Sequence, residues 1–244
     1  MAATSEGAAL TEAHRLRQLQ VAGRTMQMVA ASWQLMNVRA IDESWATIEP
    51  ILVAATARQR TLSAGLAARY YDAFRVVEGA GGRFVADPAL GLSRDVAAVS
   101  LRVTGPVALK RAVGAGLTPD AASRLALSQL AGAASRLALN GGRDTIVGAV
   151  ASDRAALGYA RVTDGSPCAF CAMLAGRGAV YRSETTAGFD AHDKCGCTAE
   201  PVLNATSALP GRGAQWSQMW AESSQGASGA DARRAFRRAY EAAA

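Results

Sequence analysis

The sequence predicts a mainly α-helical protein with a small zinc-stabilised α+β module near its C-terminus. Three observations carry that prediction. Apolar residues recur at three- and four-residue steps over most of the first 157 positions. The composition is 50% hydrophobic but only 6% aromatic, and alanine is abundant. Such a composition favours helices packed through small residues over a β-sandwich. Finally, all four cysteines and one of the two histidines fall between Cys168 and Cys197. At 244 residues the chain is long enough to bury a substantial core.

The elements follow in chain order. Leu10 to Ile41 predicts an amphipathic helix, with Leu19, Ala22, Met26, Val29, Trp33, Met36 and Ala40 on one stripe. A second helix is expected from about Ser44 to Val77, its stripe built from Trp45, Ile48, Leu52, Ala55, Leu62, Leu66, Tyr70 and Phe74. Pro50 should kink this helix or mark its true start. Met and Trp at this spacing predict core or subunit interface rather than a coiled coil or a membrane-active face. Glu78 to Phe84 reads as a loop, and Val96 to Val103 fits a short strand or a helix equally well. Thr118 and Pro119 form a cap and first-turn pair. The helix they open is expected to reach Leu139, break at Gly141-Gly142, and resume to about Leu157. Gly158 to Val162 reads as a strand leading into the cysteines. Beyond Val202, "NATSALPGRGAQWSQMW" and "SSQGASGAD" look like linkers, and Ala230 to Ala244 is helical again. The expected organisation is a helical domain at 1–157, a zinc-binding module at 158–203, and a linker with a basic C-terminal helix at 204–244.

Charge and hydropathy exclude some functions. No apolar run approaches the 18 or so residues of a membrane span, and the first residues lack the order of a signal peptide. The chain is therefore expected to fold in a reducing cytoplasm, where clustered cysteines point to metal or redox chemistry before disulfides. The net charge of +6 is spread along the chain and permits acidic partners without demanding them.

The cluster reads C-x2-C, then 20 residues, then H-x2-C-x-C. Zn²⁺ takes four tetrahedral N or S ligands, commonly as two close pairs separated by a loop. Cys168 and Cys171 form one pair, stiffened at entry by Pro167 and backed by a short helix from Ala169 to Ala175. His192 and Cys195, three apart, form the second. Cys197 is a fifth candidate for four places, and shares an ion with Cys195 only if Gly196 bends the chain. The favoured set is Cys168, Cys171, His192 and Cys195, with Cys197 the alternative in the last position. The role expected of the zinc is structural.

Competing chemistries fit less well. A thioredoxin-like pair needs a βαβ context, and the preceding chain is helical. "PCAFC" matches half of a zinc-deaminase signature, but the upstream H-x-E is missing. HExxH is absent. His14, beside Arg15 and near the chain end, reads as a solvated residue. A Cys–His dyad of Cys168 or Cys171 with His192 requires that no metal bind. Taken alone, the residues specify no catalytic group. A nucleic-acid-binding zinc module is disfavoured by three basic against five acidic residues between Thr163 and Leu203.

At the tail, Arg233 with Arg237 and Arg234 with Arg238 crowd one helix face at i,i+4 spacing, beside Phe236 and Tyr240. A solvated, frayed terminus is the simpler expectation. The functional one is a partner-binding segment for an acidic surface or packaged DNA, ordered on binding.

Around the cysteines the sequence resembles the Mu F-like family of phage minor head, or minor capsid, proteins, in the form found in phages of actinobacteria. The matching residues are Asp164-Gly165, Cys168, Cys171, His192, Cys195, Cys197 and Pro201-Val202, within Tyr159 to Val202. Gly196 stands where many members carry Arg. The resemblance implies a minor capsid protein present in few copies, associated with the portal inside the assembling head. The implied partners are the portal protein and the inner capsid surface, with packaged DNA as a further contact and no membrane. The implied location is the virion, assembled in the bacterial host cytoplasm. Some relatives carry the label capsid maturation protease, which makes processing of capsid or scaffold proteins the alternative function.

Overall fold

Thr4 starts the first helix by accepting a hydrogen bond from the Gly7 amide at 2.9 Å, a side-chain cap that satisfies one of the free donors of the first turn. The computed structural model describes residues 2–178, 189, 191–204 and 208–243. In it α1 runs Ser5–Trp33 and α2 runs Ile41–Val77. The helix expected to reach Ile41 therefore stops eight residues earlier. The chain turns there because Asn37 Oδ1 accepts from the Arg39 amide at 2.9 Å, a local bond that competes with helix. Pro50 neither starts α2 nor ends it; it sits inside the helix, where it removes one amide donor to the Ala46 carbonyl.

The undecided stretch near Val96 is helical. α3 (Arg94–Arg102) passes through a π-turn at Val103–Val107 into α4 (Ala108–Gly114). Pro106, with no amide to donate, lies in that turn. α5 (Pro119–Ser152) opens as expected, Thr118 Oγ1 accepting from the Ala121 amide at 3.4 Å.

α5 does not break at Gly141-Gly142; it continues straight through. The glycines serve packing instead. A Cβ on Gly141 would run into the Arg60 carbonyl of α2, and one on Gly142 would lie 2.8 Å from both Gln18 Nε2 and Ser63 Oγ. The missing side chains let α1, α2 and α5 cross closely. A buried polar set fixes the crossing: Ser63 Oγ donates to Gln18 Oε1 at 2.6 Å and accepts from the Gly142 amide at 2.9 Å.

The three long helices bury two main cores. One joins Val29, Trp33, Trp45, Ile48 and Leu52 to Leu101, Leu109 and Leu130. The other joins Tyr70, Tyr71, Phe74 and Ile146 to Tyr159, Leu174, Phe189, Trp216 and Phe236, so the cysteine region packs on the helical body. Within the predicted stripes, Met26 and Leu62 are exposed. The inward face of α1 instead carries Thr11, His14, Gln18 and Thr25 among its apolar residues.

β1 (Gly158–Val162) and β2 (Thr198–Val202) pair antiparallel, Gly158 opposite Val202 and Val162 opposite Thr198. Between them lies α6 (Ala169–Gly176). The stretch expected as linker contains α7 (Gly213–Ser223), whose Trp216 is buried in the core beside α6. The tail forms α8 (Gly229–Ala242), packed on α6 and α7. Among the described residues no helix is long and apolar enough to cross a membrane.

Candidate metal centre

β1 delivers the chain to Asp164-Gly165 and then to Cys168, which caps α6. The Cys171 amide donates to Cys168 Sγ at 3.5 Å. The two thiols thus stand one helical turn apart at the mouth of α6. On the return toward β2, the Cys195 amide donates to the His192 carbonyl at 3.1 Å and closes a tight turn. Lys194 in that turn is left-handed, with φ 68°, a conformation that costs a side-chain-bearing residue and persists only where its surroundings hold it.

These two turns bring the five predicted side chains together. Cys168 Sγ lies 3.0 Å from His192 Nε2, Cys171 Sγ 3.8 Å from the same nitrogen, and Cys171 Sγ 3.6 Å from Cys195 Sγ. Ligand atoms of Cys168, Cys171 and His192 all lie within 4.8 Å of one another, as do those of Cys171, Cys195 and Cys197. Cys171 belongs to both groups. Tetrahedral zinc, with Zn–S near 2.3 Å and Zn–N near 2.0 Å, requires about 3.8 Å between sulfurs and about 3.5 Å between sulfur and nitrogen. The Cys171–Cys195 and Cys171–His192 separations match those values and Cys168–His192 is about 0.5 Å shorter, while Cys195 groups with Cys171 and Cys197 and not with Cys168 and His192. His192 Nδ1 lies 2.7 Å from the Asp193 carbonyl oxygen, which leaves Nε2 turned toward the thiols.

The electrostatics divide the thiols: Cys168 and Cys195 are lowered, Cys171 and Cys197 raised. The Cys171 thiol, donating toward Cys195, keeps its own proton strongly, while Cys195 is pushed well down by that bond and by the nearby Arg143 guanidinium. His192 is raised, chiefly by its bond to the Asp193 carbonyl and then by Cys168. At Cys168 burial works against ionisation, but the Cys171 amide and His192 outweigh it and the thiol is lowered.

α5 holds this loop along one stripe. Lys194 Nζ donates to Ser128 Oγ at 2.7 Å, and Arg136 Nε pairs with Asp193 at 2.7 Å. Gly132 lies between them, where a Cβ would come 2.9 Å from Lys194 Cγ and 3.3 Å from its amide. One to two turns on, Arg143 is 1% exposed. Its Nη2 donates to the Cys195 carbonyl at 2.6 Å, its Nε to the Cys197 carbonyl at 3.0 Å, and its Nη1 to Asn140 Oδ1 at 2.9 Å. Among the described residues no carboxylate pairs with it. Burial lowers its affinity for a proton, and the thiols at Cys195 and Cys197 oppose that. Arg161 adds a second guanidinium, 4.0 Å from Cys171 Sγ and 3.8 Å from the Phe189 ring centre. Gly196, where an Arg is common in the resembled pattern, donates its amide to Asp164 Oδ2 at 2.9 Å, and a Cβ there would lie 2.7 Å from the same oxygen.

Sequence reasoning missed Arg143, because a lone arginine after two glycines carries no local mark of burial. It also placed His14 in solvent, whereas His14 is 2% exposed. Its ring stacks on Tyr70 at 4.3 Å and Nε2 lies 3.1 Å from Thr198 Oγ1. Burial first, and then Arg17, lower its pKa to about 3. The tail residues divide in two. Phe236 is buried against Trp220, and the Tyr240 hydroxyl donates to the Pro167 carbonyl just before Cys168. The two rings therefore hold α8 to its own chain, while Arg233, Arg234, Arg237 and Arg238 remain outside.

A family model described as VG15 protein matches residues 4–223. No curated protein and no solved structure matches the chain.

Proposed function

The chain belongs to the VG15 protein family, a phage-associated family, and from that premise we propose that it is a minor capsid protein of the phage head, associated with the portal and stabilised by a structural zinc. The observation that carries the zinc is the clustering of Cys168, Cys171 and His192, and of Cys171, Cys195 and Cys197, each set within 4.8 Å and sharing Cys171, with three donor pairs at 3.0–3.8 Å. Buried Arg143 supports it independently, since three thiolates on a divalent ion leave one negative charge for the guanidinium to meet. In this reading Cys168, Cys171, His192 and Cys195 hold the ion and Cys197 is the alternative to Cys195. Residues 158–203 act as the zinc-binding module, 1–157 as the helical body and 204–244 as its flank. The head assignment is supported by the motif resemblance to Mu F-like minor head proteins, and the partners in this reading are the portal and the inner capsid surface.

Elemental analysis of protein purified without chelator tests the metal. One zinc per chain is expected, and less than about half an equivalent together with disulfides overturns it. Co-expression with the tagged portal protein tests the location: co-purification, and detection in purified heads, are expected. Absence from both overturns the head assignment.

One observation favours a second reading, a capsid maturation protease. Exposed Cys168 lies 3.0 Å from His192 Nε2 at the N-terminus of α6, the geometry of a thiolate nucleophile beside its base. Co-expression with capsid and scaffold proteins distinguishes the two. Cleavage abolished by Cys168→Ser in a folded, metal-free protein selects the protease; uncleaved substrates with bound zinc select the structural role.

A further inference from the structure

We propose that the groove between α6 and α8 docks an acidic peptide segment of a partner protein, one that carries apolar side chains between carboxylates. The groove encloses about 300 Å³, and Phe170, Met173 and Phe236 line it together with Arg233, Arg234 and Arg237. Phe170 is 40% exposed although the five residues that follow it on α6 are buried. An apolar slot rimmed by one sign of charge selects a ligand with the opposite pattern, apolar anchors flanked by acids.

The arginine rim is only partly neutralised. Arg234 pairs with Asp231 one turn earlier. Among the described residues Arg233, Arg237 and Arg238 make no ion pair. Like charges at i,i+4 oppose a helix by a few tenths of a kcal/mol per pair, so the row costs the free chain stability that an acidic partner would return. The groove is also formed in advance. Phe236 anchors α8 in the core, and the Tyr240 hydroxyl ties it to the Pro167 carbonyl. A slot formed in advance spares the binding energy that ordering α8 would otherwise cost.

The apolar lining favours a peptide over nucleic acid. Phosphate contacts use arginines on an open face and have no need of a recessed Phe-Met floor, and specific DNA interfaces are more polar than this slot. The proposal goes beyond the zinc reading and stands on different residues.

Fluorescence anisotropy on the full chain, as purified, tests it. The probe is a labelled peptide in which leucine and phenylalanine alternate with pairs of glutamates. Saturable binding is expected, weakened at least about tenfold by Arg233→Glu with Arg237→Glu, and by a similar factor by Phe170→Ala. The arginines are exposed, so circular dichroism and zinc content should not change. Three results would each overturn the proposal: no saturable binding, equal binding of a peptide whose leucines and phenylalanines are replaced by serine, or a DNA duplex bound more tightly and lost with the same arginines. Zinc content measured on the same sample separates this failure from failure of the metal reading, since zinc-loaded protein that ignores the peptide removes the groove alone.

Discussion

Arg143 holds Cys195 by its backbone: Nη2 donates to the Cys195 carbonyl at 2.6 Å from the C-terminal half of α5. The same guanidinium reaches the Cys197 carbonyl. The helical body therefore grips the cysteine loop through a planar fork that also brings positive charge to the thiols. A buried guanidinium bonded to two loop carbonyls and Asn140 Oδ1, with no carboxylate paired to it among the described residues, ties the fold of the body to the cysteine loop.

Arg143→Lys keeps the charge and loses the fork, leaving a carbonyl unpaired. The expected cost is about 2 kcal/mol in urea unfolding, with zinc affinity down by roughly 10- to 100-fold in competition with a chelating dye. Unchanged values in both would mean that the fork holds nothing.

Gly141→Ala puts a methyl against the Arg60 carbonyl. Overpacking at a helix crossing is expected to cost about 1–3 kcal/mol. Gly148→Ala in the same helix meets nothing within 4 Å, and should stabilise by up to about 1 kcal/mol through helix propensity. The opposite signs, read from thermal melts, separate the packing role of Gly141 from its chain flexibility.

His14 predicts acid sensitivity. Its folded pKa, about 3, lies below the ordinary 6.5 because the ring is buried, so the unfolded chain takes up the proton first. The stability due to neutral His14 is complete above pH 6.5 and is lost as pH falls toward 3. Between pH 6.5 and 5 the loss should be about 2 kcal/mol. His14→Gln should remove that slope, and the difference between the two urea series isolates His14 from the titrating thiol cluster.

Asp153 caps α5 and binds Arg75 through two bonds, at 2.5 and 3.2 Å, while accepting from the Tyr71 hydroxyl at 3.0 Å. Burial alone would raise its pKa, but Arg75 and the other donors outweigh burial and hold it low. Asp153→Ala leaves the buried Arg75 charge uncompensated, with an expected cost of about 3–5 kcal/mol. In the wild type the pair's contribution is present above the ordinary aspartate pKa and is lost as pH falls below it. Urea unfolding of Asp153→Ala and Arg75→Met, alone and combined, checks this; the double variant should lose less than the sum.

Much of the molecule was legible in sequence because local chemistry repeats locally. Periodic apolar residues marked α2 from Trp45 to Phe74, and Thr118-Pro119 marked the start of α5 by the only bonds a first turn can offer. The C-x2-C and H-x2-C spacings marked two local pairs, Cys168 with Cys171 and His192 with Cys195, because each pair needs only one turn of chain. The linker-like composition before α7 hid a helix that Trp216 secures only once α6 offers it a surface.

What the tertiary structure alone decided lies where an element answers to a partner far along the chain. Thr11, His14 and Gln18 look like a solvent face until Tyr70, Ser63 and Thr198 arrive to satisfy them. Gly141-Gly142 looks like a helix break until α1 and α2 cross there and need the space. Arg143 looks like any surface arginine until two cysteine carbonyls, more than fifty residues later, fold against it. Sequence alone marked the course of the long helices and the cysteine–histidine spacing, since both depend on neighbours a few residues apart. The crossings, the buried polar partners and the grip on the cysteine loop depend on burial, and burial is a property of the packed chain.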